Sequence, residues 1–219
     1  MIFVNYKAFE ESSGEKAVAL TNSIEEVAHE SQVKIIPVVQ VIDAEMVVAS
    51  TTLEVWIQHV DPVNYGAHTG WTLPQEAAKI GVSGVFLNHS EHKFNDFNAL
   101  ANANEKAKEA NLKTLIFADS LEELKSVAEL KPTFVAYEPP EFIGSTETSV
   151  TKAQPEIISQ AADVARSSGE PLIVGAGVSS MEDIKKSLEL GAVGVAIATA
   201  VVKSPDPKAK LLELVEGFK

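Results

Sequence analysis

The chain has 219 residues, 45% of them hydrophobic and 22% charged, a balance that suits a folded domain of strands and helices and excludes a disordered chain. Its net charge is -13 at pH 7 and Arg166 is the single arginine, so no nucleic-acid surface of clustered basic side chains is expected. The lack of cysteine excludes disulfides, thiolate nucleophiles and cysteine-ligated metals; no apolar run nears the roughly 20 residues of a membrane span, and Met1 to Lys7 lacks a signal-peptide pattern, so a cytoplasmic protein without membrane contact is expected.

Ile2 to Tyr6 reads as a short strand ending at Lys7, and Gly14 to about Glu30 follows with Ala17, Leu20, Ile24 and Val27 at helical spacing. Val33 to Val41 is rich in β-branched residues, as a strand buried on both faces would be, and Asp43 is placed to cap the run Ala44 to Ala49. Val55 to Gln58 is a third strand. The polar loop His59 to Leu73 is too long for a simple connector, and Pro74 opens a helix at its first turn.

Gly84 to Leu87 reads as the fourth strand and runs into Asn88-His89-Ser90-Glu91, with a helix from about Asp96 to Ala110. Leu112 to Phe117 is the fifth, and Ser120 with Glu123 has the form of a capping box for a helix ending near Leu130. Thr133 to Tyr137 is the sixth; it meets Glu138 and the pair Pro139-Pro140, and its helix begins after Pro155 and ends at Gly169. Pro171 to Val174 is the seventh, Gly175-Ala176-Gly177 a turn, and Ser180 with Asp183 starts a helix ending at Gly191. Val193 to Ala198 is the eighth, and Asp206-Pro207 opens the last helix. Eight strand-helix alternations predict an α/β protein, a (β/α)8 barrel forming a single domain over residues 1–219, with an open doubly wound sheet as the alternative.

Active sites in such barrels lie at the C-terminal ends of the strands. Here those ends hold Asn5, Lys7, Gln58, His89, Glu91, Asp119, Glu138, Gly175 to Gly177 and Ala198 to Ala200. One lysine, one histidine and one glutamate therefore meet beside two small-residue turns whose backbone amides can hold phosphate. This points to proton transfer on a small phosphorylated compound. Taken singly each residue has a plainer reading: Glu138 as a solvated strand end, Lys7 as a solvated lysine, His89 as a core histidine. His89 and His92 at helical spacing suggest a metal, but Glu91 alone stands near as a third ligand, and a Lys7–Glu91 ion pair is the expected use of that carboxylate. Gly175-Ala176-Gly177 has no acid about 20 residues on, which argues against a dinucleotide fingerprint.

Asn5-Tyr6-Lys7, Asn88-His89-Ser90-Glu91, Ala136-Tyr137-Glu138-Pro139 with Ile143-Gly144, and Gly175-Ala176-Gly177-Val178 stand in an order and spacing that resembles the triosephosphate isomerase family along the whole chain. Gln58-His59-Val60-Asp61-Pro62 and Tyr65-Gly66-Ala67-His68-Thr69-Gly70 look most like its compact archaeal branch. The resemblance implies Glu138 as the carbon-to-carbon base, His89 as the neutral electrophile, and Lys7, positioned by Asn5, as a fixed charge near enediolate and phosphate. It implies phosphate held by Ile143, Gly144, Gly177, Ala198 and Thr199, under a lid of Pro139, Pro140, Glu141, Phe142, Ile143, Gly144 and Ser145. It also implies a triose phosphate substrate, no cofactor, no metal, and a homo-oligomer, dimer or tetramer, built through Tyr65, His68, Thr69 and Trp71. The chain departs from the family pattern at His92-Lys93, where arginines are usual, at Ala198-Thr199-Ala200, where glycines are, and at Asp119, where strand five commonly ends near a cysteine. A different barrel enzyme acting on a sugar phosphate, or a non-catalytic sugar-phosphate sensor, is the competing reading.

Overall fold

The computed structural model describes residues 1–139 and 155–219. Its strands are β1 Ile2–Asn5, β2 Ile35–Val39, β3 Trp56–Ile57, β4 Gly84–Leu87, β5 Lys113–Ala118, β6 Phe134–Tyr137, β7 Leu172–Val174 and β8 Gly194–Ile197. They form a closed barrel in sequence order, every pairing parallel, with Ile2 beside Val195 where β1 meets β8. The closed sheet settles the choice against an open one. The described helices are α1 Glu15–Ser31, α2 Ala44–Ser50, α3 Pro74–Lys79, α4 Phe97–Glu109, α5 Leu121–Ala128, α6 Pro155–Ser168, α7 Met181–Glu189, α8 Thr199–Val202 and α9 Pro207–Val215.

Strand side chains alternate between two faces, and here both faces are apolar because each packs on protein. Phe3, Ile36, Val38, Trp56, Phe86, Leu115, Phe117, Ala136 and Ile173 fill the barrel interior as one cluster. Their neighbours, such as Val4, Val85, Ile116, Val135 and Val195, join the larger layer under the helices. The same period carries the strand ends. Phe3 and Asn5, Trp56 and Gln58, and Phe134, Ala136 and Glu138 share inward positions, so polar side chains arrive at the mouth just where the apolar filling stops.

The barrel floor is aromatic. Phe3 lies with its ring centroid 5.0 Å from Trp56, 5.6 Å from Phe86 and 5.7 Å from Phe134, mostly edge to face. Gly84 makes this possible, since a Cβ there would sit 2.3 Å from Trp56 Cε2. Gly84→Ala is therefore expected to lower the unfolding free energy by about 1–3 kcal/mol through overpacking, read as a lower urea midpoint at unchanged slope.

Helix starts follow the sequence at Asp96, Ser180 and Asp206, whose side chains accept from the N–H groups of Ala99, Asp183 and Ala209. Ser180 with Asp183 completes a reciprocal capping box. Two expected caps differ. Asp43 has a helical backbone, φ -98° and ψ -8°, whereas a capping side chain needs an extended one; its carboxylate instead accepts from Gly14 N–H (3.2 Å). Ser120 Oγ accepts from Glu123 N–H (3.2 Å) as expected, but Glu123 does not reach back to Ser120 N–H; its carboxylate accepts from Asp119 N–H (2.8 Å) and from the Asn88 amide (2.9 Å), which compete for it.

Candidate active site

Lys7 follows β1 in a left-handed backbone conformation, φ 49°, uncommon for a lysine. Two bonds hold it there. Its N–H donates to Asn5 Oδ1 (3.0 Å), and its carbonyl accepts from Gln58 Nε2 (2.9 Å), which also reaches Asn5 Oδ1 at 3.3 Å. The Lys7 ammonium meets Glu91 Oε1 at 2.6 Å, as the sequence suggests.

His89 leaves the end of β4 and is buried, 8% exposed. The Glu91 N–H donates to His89 Nδ1 (3.1 Å), so Nδ1 is an acceptor and the proton of the neutral ring belongs on Nε2. Nε2 faces Glu138 Oε2 at 3.3 Å. The ring stands edge-on to Phe117, centroids 4.9 Å apart, which fixes its plane.

Glu138 continues β6 by donating its N–H to Ala118 O (2.9 Å), and the residue is 8% exposed. Burial pushes the carboxyl above the usual carboxylate range, against the opposing influence of the His89 ring, the Lys7 charge and the Ser90 hydroxyl, which donates to Oε2 at 3.4 Å. Gly175 at the end of β7 gives it room: a Cβ there would lie 2.8 Å from Glu138 Oε1. Gly175→Ala should displace the carboxylate and cut kcat by about 10–100-fold, measured against an unchanged circular dichroism spectrum.

Asn5, Lys7, His89, Phe117 and Glu138 line one cavity with Gly177, Ser179, Ala198, Thr199 and Ala200. Ala176 and Gly177 have φ 66° and 74°, a turn that bares its amides. Where the sequence predicts only a turn at Ala198 to Ala200, the structure forms α8; its Val201 and Val202 N–H groups donate to Ala198 O, while those of Thr199 and Ala200, ahead of the first such bond, have no intrahelical acceptor. One end of the cavity thus carries backbone donors for an anion; the other carries a base, an imidazole and an ammonium.

The triosephosphate isomerase family model matches residues 1–217. Triosephosphate isomerases of Metallosphaera sedula and Sulfurisphaera tokodaii are each 39% identical to this chain, over 99% and 100% of it and 95% and 93% of their own length. That of Methanocaldococcus jannaschii is 35% identical over 99% of both chains. The chain belongs to the triosephosphate isomerase family. As a triosephosphate isomerase it interconverts D-glyceraldehyde 3-phosphate and dihydroxyacetone phosphate.

Within this triosephosphate isomerase the structure brings together Asn5, Lys7, His89, Glu138, Gly177, Ala198 and Thr199. Of the expected lid, Pro139 is described and buried, while Pro140, Glu141, Phe142, Ile143, Gly144 and Ser145 lie outside the described residues. Gln58, Ser90 and Gly175 have roles the sequence reading left unassigned. For Gln58 the signal was present, since it shares the inward period of Trp56. His92 stacks on His59, ring centroids 4.1 Å apart, and among the described residues no group of three or more His, Asp or Glu is placed to hold a metal. The third loop exposes Tyr65 (58%) and Trp71 (50%), with Thr69 exposed and His68 tilted against Trp71.

Proposed function

We propose that Glu138, His89 and Lys7 carry the isomerisation in this chain. Glu138 takes the proton from the carbon beside the substrate carbonyl, leaving an enediolate, and returns it to the neighbouring carbon; desolvation has made the carboxylate more basic for this purpose. His89 donates from Nε2 to the oxygen that gains charge and moves that proton between the two oxygens. Lys7 supplies a fixed positive charge to enediolate and phosphate. Gly177, Ala198 and Thr199 hold the phosphate, with Asn5 fixing Lys7; Ile143 and Gly144, the other phosphate-holding residues that the sequence suggests, lie outside the described residues.

The observation that carries this reading is the His89 Nε2 to Glu138 Oε2 approach of 3.3 Å, made while Nδ1 is engaged by a backbone N–H. A base and a neutral donor so placed can act on adjacent carbon and oxygen atoms of one small molecule. The test is a coupled assay of the purified protein beside His89→Gln. Turnover in the parent with a collapse of kcat in the variant supports the roles, and equal turnover in both overturns them.

The reading extends to one domain spanning residues 1–219, acting in the cytoplasm where triose phosphates are made and consumed. Tyr65, His68, Thr69 and Trp71 pack against a second copy to form a dimer, or a tetramer of two such pairs. The apolar exposure of Tyr65 and Trp71 supports this. Sedimentation analysis tests it: a parent that is monomeric at micromolar concentration overturns the assembly.

A further inference from the structure

Asn88, the residue before His89, has φ 61° and is 4% exposed. The left-handed backbone alone does not ask for asparagine, since glycine adopts it without strain. The side chain, however, is fully engaged. Nδ2 donates to Phe117 O (3.1 Å) at the end of β5 and to Glu123 Oε1 (2.9 Å) in the first turn of α5; Oδ1 accepts from Phe94 N–H (3.3 Å). Glu123 is itself held by Asp119 N–H (2.8 Å) and by Lys93 Nζ (3.1 Å), and Lys93 also pairs with Asp119. The turn that bears His89 is thereby stitched to the next strand and helix, through the same Phe117 whose ring fixes the imidazole plane.

We propose that Asn88 is a positioning residue for His89. Its amide sets the orientation of the 88–94 turn, so that Nε2 is presented to the substrate oxygen without rearrangement at the moment of reaction. The Lys93 ion pairs are at the surface and contribute little by themselves; the buried amide, with one bond to a carboxylate, supplies the constraint. The inference rests on His89 being the group that polarises the carbonyl.

Asn88→Gly tests it, because the backbone conformation stays open while the side-chain bonds are deleted. The expected result is a fall in kcat of roughly tenfold or more, with KM changed by less than about twofold and the fraction of sites titrated by 2-phosphoglycolate unaltered. Glu123→Ala should reproduce part of that loss, and the double variant should lose no more than Asn88→Gly alone. Glu123→Gln, whose amide oxygen still accepts from Asn88, should keep kcat within about threefold of the parent. Wild-type kcat per titrated site in Asn88→Gly, or a loss that tracks missing sites only, overturns the proposal. If His89→Gln is inactive in the same series, the reading of the site survives that failure; if His89→Gln is active, both fall. Should Asn88→Gly not fold, the Glu123→Ala and Glu123→Gln pair decides, equal kcat in the two counting against the proposal.

Discussion

Glutamine in place of Glu138 is expected to lower kcat by about 10²–10⁴-fold and, at neutral and alkaline pH, to make the protein more stable. The first effect is loss of the base, with the cavity shape kept. The second follows from burial, which raises the carboxyl above its ordinary range and so favours the protonated form in the native state. A raised native value means that the stabilising contribution is full below the unfolded-state value, near pH 4, and is lost as pH rises through the native one. The ionised carboxylate therefore costs stability where the enzyme works, and an uncharged amide of the same shape avoids that cost. Urea unfolding of parent and Glu138→Gln should give similar midpoints in acid and a higher midpoint for the variant at pH 8. A difference that does not grow with pH would show that the burial of Glu138 carries no such cost.

Lys7→Met is expected to reduce kcat/KM by about 10²–10³-fold, divided between a lower kcat and a higher KM. Among the described residues Lys7 is the one cation lining the cavity, in a chain of net charge -13. Among the described residues no second lysine lines the cavity to replace it. The substitution also leaves Glu91 without its partner, and a bare carboxylate at the mouth would repel a phosphorylated substrate. Steady-state kinetics of Lys7→Met and of Lys7→Met with Glu91→Gln separate the two contributions. The double variant should recover part of KM and none of kcat; full recovery of kcat would mean that Lys7 serves only to neutralise Glu91.

The barrel was legible because its signals are local. Apolar runs with turn residues between them predict eight strands, and the period-two pattern through Phe134, Ala136 and Glu138 already directs the glutamate inward. Glu138, His89 and Lys7, which line one cavity, could be named for the same reason, each standing at a strand end. What escaped depends on which residues meet across the sheet. Gln58 is useful only because β3 stands near β1, and Gly175 only because a missing Cβ leaves space for an oxygen from the neighbouring strand. Asp43 is of a capping type but does not cap, because its backbone angles decide whether its carboxylate can reach the helix. Asn88 was read as part of a motif, yet its bonds to Phe117, Glu123 and Phe94 appear only once β4, β5 and α5 are assembled.

The aromatic floor and the exposed third loop divide the two tryptophans between them, Trp56 wholly buried and Trp71 half in water. An indole packed in hydrocarbon emits to the blue of one in water, so the chain carries two internal chromophores with separate colours. Trp56 reports whether the barrel is closed, and Trp71 reports whether anything covers the loop. Replacing either by phenylalanine leaves a molecule that reads out one event alone, without any added label.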